Sequence, residues 1–293
     1  MNSWCILAHG AYEAVAQDPP QELDAALRAC MGKPPRRINR YIRLALIGAH
    51  RCVAQLEQPL ASTTPLLMAS AQGNVAEAVA LMDEIVVHGR SPMPMPFINV
   101  SSNMVGYYLA ASLGLCGRNM TAARAPGTFG ALLELAELEA IIAPAEHGRM
   151  LLGTVAECVW PLTEHRRRCQ LAADTPLVEA SYWLVAEQAN AGAEDNTQAP
   201  ILSYTKTANV SEARAWLAAG ERWVIDPHLP DEQRQALSAG LHAACAWHPP
   251  LCHRGHADAL VHALFAALKT PPITRLHGVG ADASGGYQLM TVS

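Results

Sequence analysis

Residues 113–135 read LGLCGRNMTAARAPGTFGALLEL. Gly114 to Asn119 is a turn, Met120 to Ala125 a short strand, and Thr128 to Ala140 a helix rich in Leu, Ala and Glu. Between strand and helix stands the corner Arg124-Ala125-Pro126-Gly127. A strand that feeds directly into an apolar helix is the repeating unit of α/β proteins, and the chain on both sides of this stretch carries more of them.

Upstream, residues 4–9 (WCILAH) and 65–69 (PLLMA) read as buried strands, and residues 41–56 carry apolar side chains at helical spacing behind a capping Asn39. Asn74 precedes a further helix, and PMPMP at 92–96 is an extended proline-rich loop. Downstream, 150–159 is an apolar run, and 178–187, 201–206, 223–226 and 287–292 read as strands. Residues 231–247 and 256–268 read as helices, the first with acidic residues at its start, as the helix dipole favours. Residues 191–199 (AGAEDNTQA) form the clearest loop. No repeat of 20–50 residues is visible. Strands alternating with helices define an α/β class with substantial parallel pairing.

The 293 residues are 51% hydrophobic, ample for a large core. A net charge of −5 and basic runs no longer than His165-Arg166-Arg167-Arg168 exclude a nucleic-acid binder. No apolar stretch reaches the roughly 18 residues of a membrane span, and the N-terminus lacks the basic start and cleavage site of a signal peptide. Eight cysteines without a CxxC pair read as reduced thiols of a cytoplasmic protein. For that reason the sequon Asn119-Met120-Thr121 carries no meaning.

Six segments, in order along nearly the whole chain, resemble β-ketoacyl synthases, the condensing enzymes of fatty-acid and polyketide synthesis. They are PPRRINRYIRLAL, LGLCGRNMT, PLTEHRRRCQLAADTPLVEASYWLVAEQ, DPHLPDEQRQAL, GHADALVHALFAAL and GADASGGYQLMTV. The chain is shorter than most ketosynthases and is most similar to the ketosynthase-like proteins of aryl-polyene pigment pathways, which resemble chain-length factors. The resemblance implies a single thiolase-like domain, a layered αβαβα fold with two pseudo-repeated halves, 1–175 and 176–293.

Condensation on that fold needs a thiolate at a helix N-terminus, two histidines and a pair of backbone N–H groups for the oxyanion. The resemblance puts the thiolate at the corner before Thr128, and residue by residue its place falls on Pro126. Proline offers no nucleophile and lacks an N–H. Thr128 offers an alcohol that needs a base. Gly255-His256 matches the segment of the second histidine, and His228 is the candidate for the first. With the thiol missing, the resemblance implies a non-catalytic subunit that pairs with an active ketosynthase and shapes its acyl tunnel. It needs no cofactor. A cysteine lining the pocket at that helix start beside His228 and His256 would overturn this. Asn99, Asn103, Tyr107 and Tyr108 match the family's dimer interface, and adjacent tyrosines cannot share a helix face. Arg36, Arg37 and Arg40 offer an acidic acyl-carrier protein a basic contact, or are simply a solvated helix start; Arg166 to Arg168 pose the same choice.

Two rivals remain. One is a stand-alone acyltransferase or thioester hydrolase using His256 or His228 as base. The other is a zinc-binding protein, because His248, Cys252, His253 and His256 form HxxxCHxxH; against it, Pro249-Pro250 stiffens the turn.

Overall fold

The apolar runs become the strands of one sheet whose two faces are both covered. In the computed structural model the described residues are 2–142, 148–189, 199–247, 249, 255, 257–269 and 275–293. The strands are β1 (Asn2–Val15), β2 (Leu66–Ser70), β3 (Asn119–Ala123), β4 (Met150–Ala156), β5 (Val178–Gln188), β6 (Ile201–Thr207), β7 (Arg222–Ile225), β8 (Leu276–Ala281) and β9 (Tyr287–Val292). The α-helices are α1 (Asp24–Met31), α2 (Arg40–Val53), α3 (Val75–Met82), α4 (Pro94–Asn99), α5 (Met104–Leu113), α6 (Thr128–Ile142), α7 (Leu162–Arg168), α8 (Val210–Ala218), α9 (Asp231–Ser238) and α10 (Ala259–Leu268).

The nine strands run in the order β3-β2-β4-β5-β1-β6-β9-β8-β7. Pairing is parallel at the two ends, β3 with β2, β2 with β4, and β8 with β7, and antiparallel through the middle. β5 pairs on both sides with strands that precede residue 175, so by hydrogen bonding the first half runs on through Gln188.

Strand alternation sorts the side chains into layers. Leu66, Met68, Trp183 and Val185 face a cluster with α1, α2 and α5. Their neighbours Leu67, Ala69, Tyr182 and Leu184 face a cluster with α6 and α10, which Leu202, Val224, Met290 and Val292 of the second half close from the other side. Leu289 and Val279 turn away from it toward α8 and α9. Helices α6 and α10 are therefore a middle layer between two portions of a curved sheet, with further helices outside each portion. This is the five-layered α/β arrangement expected.

Several local expectations change. The proline-rich loop begins α4, because proline fits the first turn of a helix. The helix expected over 231–247 stops at Ser238, before Gly240 at φ +79°, and only a 3₁₀ turn follows at Ala243–Cys245. The helix expected from residue 256 begins at Ala259. Asn39 caps α2 as expected, its Oδ1 accepting from the Ile42 N–H at 3.1 Å.

Close backbone approach fixes α2 on β1. A Cβ at Gly10 would lie 2.3 Å from the Cys52 backbone nitrogen. Gly10→Ala is expected to lower unfolding stability by about 1–3 kcal/mol, the usual cost of overpacking, read from the midpoint of urea denaturation.

Candidate functional site

Parallel strands leave their carboxyl ends on one side, where α/β folds gather their ligands. Here the ends of β2, β3, β4 and β7 surround a cavity of about 500 Å³. The corner at the start of α6 forms part of its wall. The Ala131 N–H donates to the Gly127 carbonyl at 3.0 Å, so the residue that caps α6 is Gly127, with φ +84°. Pro126, at the place that residue matching gives the thiol, stands one residue before that cap and follows a cis peptide bond. Neither residue carries a nucleophile.

A side chain at the cap would also meet close neighbours. Gln288, buried on β9, lies across the helix start with its Nε2 3.4 Å from the Gly127 carbonyl oxygen. A Cβ on Gly127 would come 2.7 Å from that nitrogen, and one on Gly130 2.0 Å from it. The corner is held from outside by charge. The Arg124 guanidinium donates two bonds to Glu134, at 2.9 and 3.0 Å, and Lys206 pairs with both Glu134 and Asp282. The hydrogen bond from Arg124, set against some desolvation, and the bond from Lys206 hold the Glu134 carboxyl down at about 2.

Thr128 is buried, and its hydroxyl donates to the Arg124 carbonyl at 2.9 Å. Its proton is thus committed to backbone, which counts against Thr128 as a nucleophile. His228 does line the cavity, with Nδ1 2.8 Å from Asp226 Oδ1. His256 lies outside the described residues, as do His248, Cys252 and His253 of the zinc reading. Among the described residues no group of three or more His, Cys, Asp or Glu is arranged to hold a metal.

Three groups in the cavity wall were not singled out from the sequence. Glu157, at the end of β4, is buried, and its Oε1 accepts from the Ala76 N–H at 2.9 Å. Burial outweighs that bond and, with Glu179 and Glu77 nearby, pushes its carboxyl up to about 8. Asp258, in front of α10, is 3% exposed and raised to about 6 by burial, with Thr154 and His228 pulling the other way. Cys169, just after α7, lies 3.7 Å from His165 Nε2. A thiol therefore does line the cavity with His228, but it enters from α7, not from the start of α6. A charged residue ending the apolar run MLLGTVAE was the available signal for Glu157.

The other predicted contacts separate. Arg36 and Arg37 are exposed. Arg40 is not free for a carrier protein. Its guanidinium donates to both oxygens of the fully buried Glu179, at 2.5 to 3.0 Å, and to the Gln21 carbonyl at 2.7 Å. Asn99 is likewise turned inward, its Nδ2 donating to the Arg37 carbonyl at 2.9 Å. Asn103 is exposed, and of the tyrosines Tyr107 is 60% exposed while Tyr108 packs on the α2 cluster. Arg167 and Arg168 both bind Glu164, and Arg166 donates to the Thr175 carbonyl.

No protein-family profile and no curated protein sequence matches the chain. Solved structures do. The ishigamide ketosynthase/chain length factor superposes with a TM-score of 0.68 at 14% identity, covering 99% of each chain. A β-ketoacyl synthase from Burkholderia phymatum gives 0.67 at 12% identity, covering 100% of this chain and 99% of that one. A ketosynthase (ApeO) in complex with its chain length factor (ApeC) from Xenorhabdus doucetiae gives 0.54 at 14% identity, covering 99% of each. The fold is the thiolase-like fold of ketosynthases over the full described chain.

Two outcomes follow from these acids and pairs. Glu157 holds its proton in the fold to a pH well above the ordinary glutamate value of 4.5, so the native state binds the extra proton between pH 4.5 and about 8. Its contribution is full below pH 4.5 and is lost as pH rises toward 8. Glu157→Gln, which keeps the acceptor for Ala76, should be more stable than wild type at pH 8 to 9, with the gap closing toward pH 4.5 in a chemical-denaturation series. Arg40→Ala strands a buried carboxylate and should cost about 3–5 kcal/mol, whereas Arg36→Ala and Arg37→Ala should leave the melting temperature within experimental scatter.

Proposed function

We propose that the chain is a ketosynthase-like subunit of the chain-length-factor type. It pairs with an active β-ketoacyl synthase in a dissociated fatty-acid or polyketide pathway of the aryl-polyene kind, in the cytoplasm, and shapes the acyl tunnel. The observation that carries this is the start of α6: neither Pro126 nor Gly127 offers a thiol there, and the Gln288 amide packs over the corner. Condensation requires an acyl-thioester nucleophile at that place, so the partner supplies it.

The surface around the N-terminal edge of the sheet supports a partner. β3 is hydrogen-bonded to β2 alone among the described strands. Beside it α5 packs so closely that Gly106 meets the Asn119 side chain. Tyr107 projects from α5, and Met93, Phe97 and Ile98 from the α4 region, each at least 45% exposed. An edge strand next to exposed apolar groups is a surface that pairing would cover. Arg36 and Arg37 remain as the basic contact for an acidic carrier protein.

Co-expression with an intact ketosynthase should give a complex that co-elutes in size-exclusion chromatography. Phe97→Asp with Tyr107→Asp should abolish co-elution without lowering the melting temperature. A chain that stays monomeric beside every intact ketosynthase of such pathways sinks the proposal.

The Asp226–His228 pair in the cavity favours a second reading, a stand-alone acyltransferase or thioester hydrolase. Turnover of acyl-carrier protein by the chain alone, lost in His228→Ala, would establish it.

A further inference from the structure

We propose that Cys169 is an acyl-accepting thiol of the cavity, able to take an acyl group from a pantetheine thioester. Its surroundings single it out. The Val159 N–H donates to His165 Nδ1 at 3.0 Å, so that nitrogen is an acceptor. Burial, with Arg166 and Arg168 adding to it, lowers the affinity of His165 for a second proton. The neutral ring therefore carries its proton on Nε2, and Nε2 is the atom facing Cys169 Sγ at 3.7 Å. The Gln72 side-chain N–H donates to the same sulfur at 3.5 Å. Two N–H donors converge on this one sulfur and hold it in the cavity wall, where an entering carbonyl can meet it. His165 is here a positioning residue and a donor, not a base.

A second observation in the same cavity points to a ligand. Asp258 is 3% exposed and lines the cavity; Thr154 lies close to its carboxyl, but Oδ2 accepts no hydrogen bond of ordinary geometry. A buried carboxylate oxygen without a donor is costly. An amide N–H or hydroxyl of a pantetheine arm would supply one. The choice of a thioester as acyl source rests on the function proposed above; the accessible, hydrogen-bonded thiol does not.

The step balances without a co-reactant. Cys169 loses its proton to solvent, and the thiolate attacks the thioester carbonyl. A carbon–sulfur bond to Cys169 forms as the bond to pantetheine sulfur breaks, and the departing thiolate takes up a proton. No decarboxylation or condensation is implied, so the chain would hold an acyl group rather than extend it.

The test uses the full chain alone, with octanoyl-coenzyme A and octanoyl-carrier protein in separate arms, read by intact mass and peptide mapping. One octanoyl group on Cys169 is expected, absent in Cys169→Ser. It should form roughly tenfold more slowly in His165→Phe, and largely recover in His165→Gln, which keeps an N–H donor. Acylation from the carrier protein only would identify that source, and from both the shared pantetheine chemistry. Iodoacetamide supplies an arm free of any acyl carrier: Cys169 should be alkylated faster than the exposed Cys116. Absence of acylation from both thioesters, acylation of Cys116 instead, or alkylation of Cys169 no faster than of Cys116 overturns the proposal. None of these results depends on whether a partner subunit binds, so failure here and failure of pairing are read separately.

Discussion

The steric contact between Gln288 and the two glycines at the start of α6 governs what this chain can do. The glutamine amide packs so close to Gly127 and Gly130 that a side chain at either would have to displace it, and at Gly127 a Cβ would also lie 2.7 Å from the Ala281 carbonyl oxygen. A missing cysteine could be a single change, reversible by another. A helix start with a buried amide packed over it is a different architecture, in which the polar end of α6 is occupied by the protein itself. The Arg124–Glu134–Lys206–Asp282 cluster holds that corner against the second half of the sheet. The same cluster joins the end of β3, α6 and β6 through side chains.

The cavity nevertheless persists next to this blocked corner. Its wall combines two carboxyls that burial pushes toward their neutral form, Glu157 and Asp258, with an Asp–His pair and a thiol. Groups with shifted protonation gather at functional sites more often than elsewhere, although structural burial produces the same shifts. Glu157 answers to structure, because it holds the N–H of Ala76 in the first turn of α3. Asp258 has no such complete partnership.

Much of the layering was legible because it rests on apolar continuity. Strands β2, β4, β5 and β9 are uninterrupted runs buried on both faces for most of their length. β8 was missed because LHGVGA dilutes its apolar residues with His277 and two glycines, all poor strand signals, and its place depends on pairing with β7 and β9. His228 was found because it follows a short strand and a proline. Cys169 was not, because its meaning depends on Gln72 and on the tautomer of His165, and Gln72 lies far away in sequence. Arg40 shows the opposite failure: a basic run looks solvated until a buried carboxylate 139 residues away is brought against it.

The pairing of β1 has a consequence for how the chain is made. β1 leaves the ribosome long before its partners β5 and β6, with Trp4 opposite Gln188 and Asn2 opposite Tyr204. The chain as far as Tyr204 must be synthesised before the central ladder can close. Until then the apolar β1 ribbon waits with both edges open, and contacts of such long sequence separation form slowly. Closing the middle of the sheet is therefore a late, non-local event in the folding of this topology.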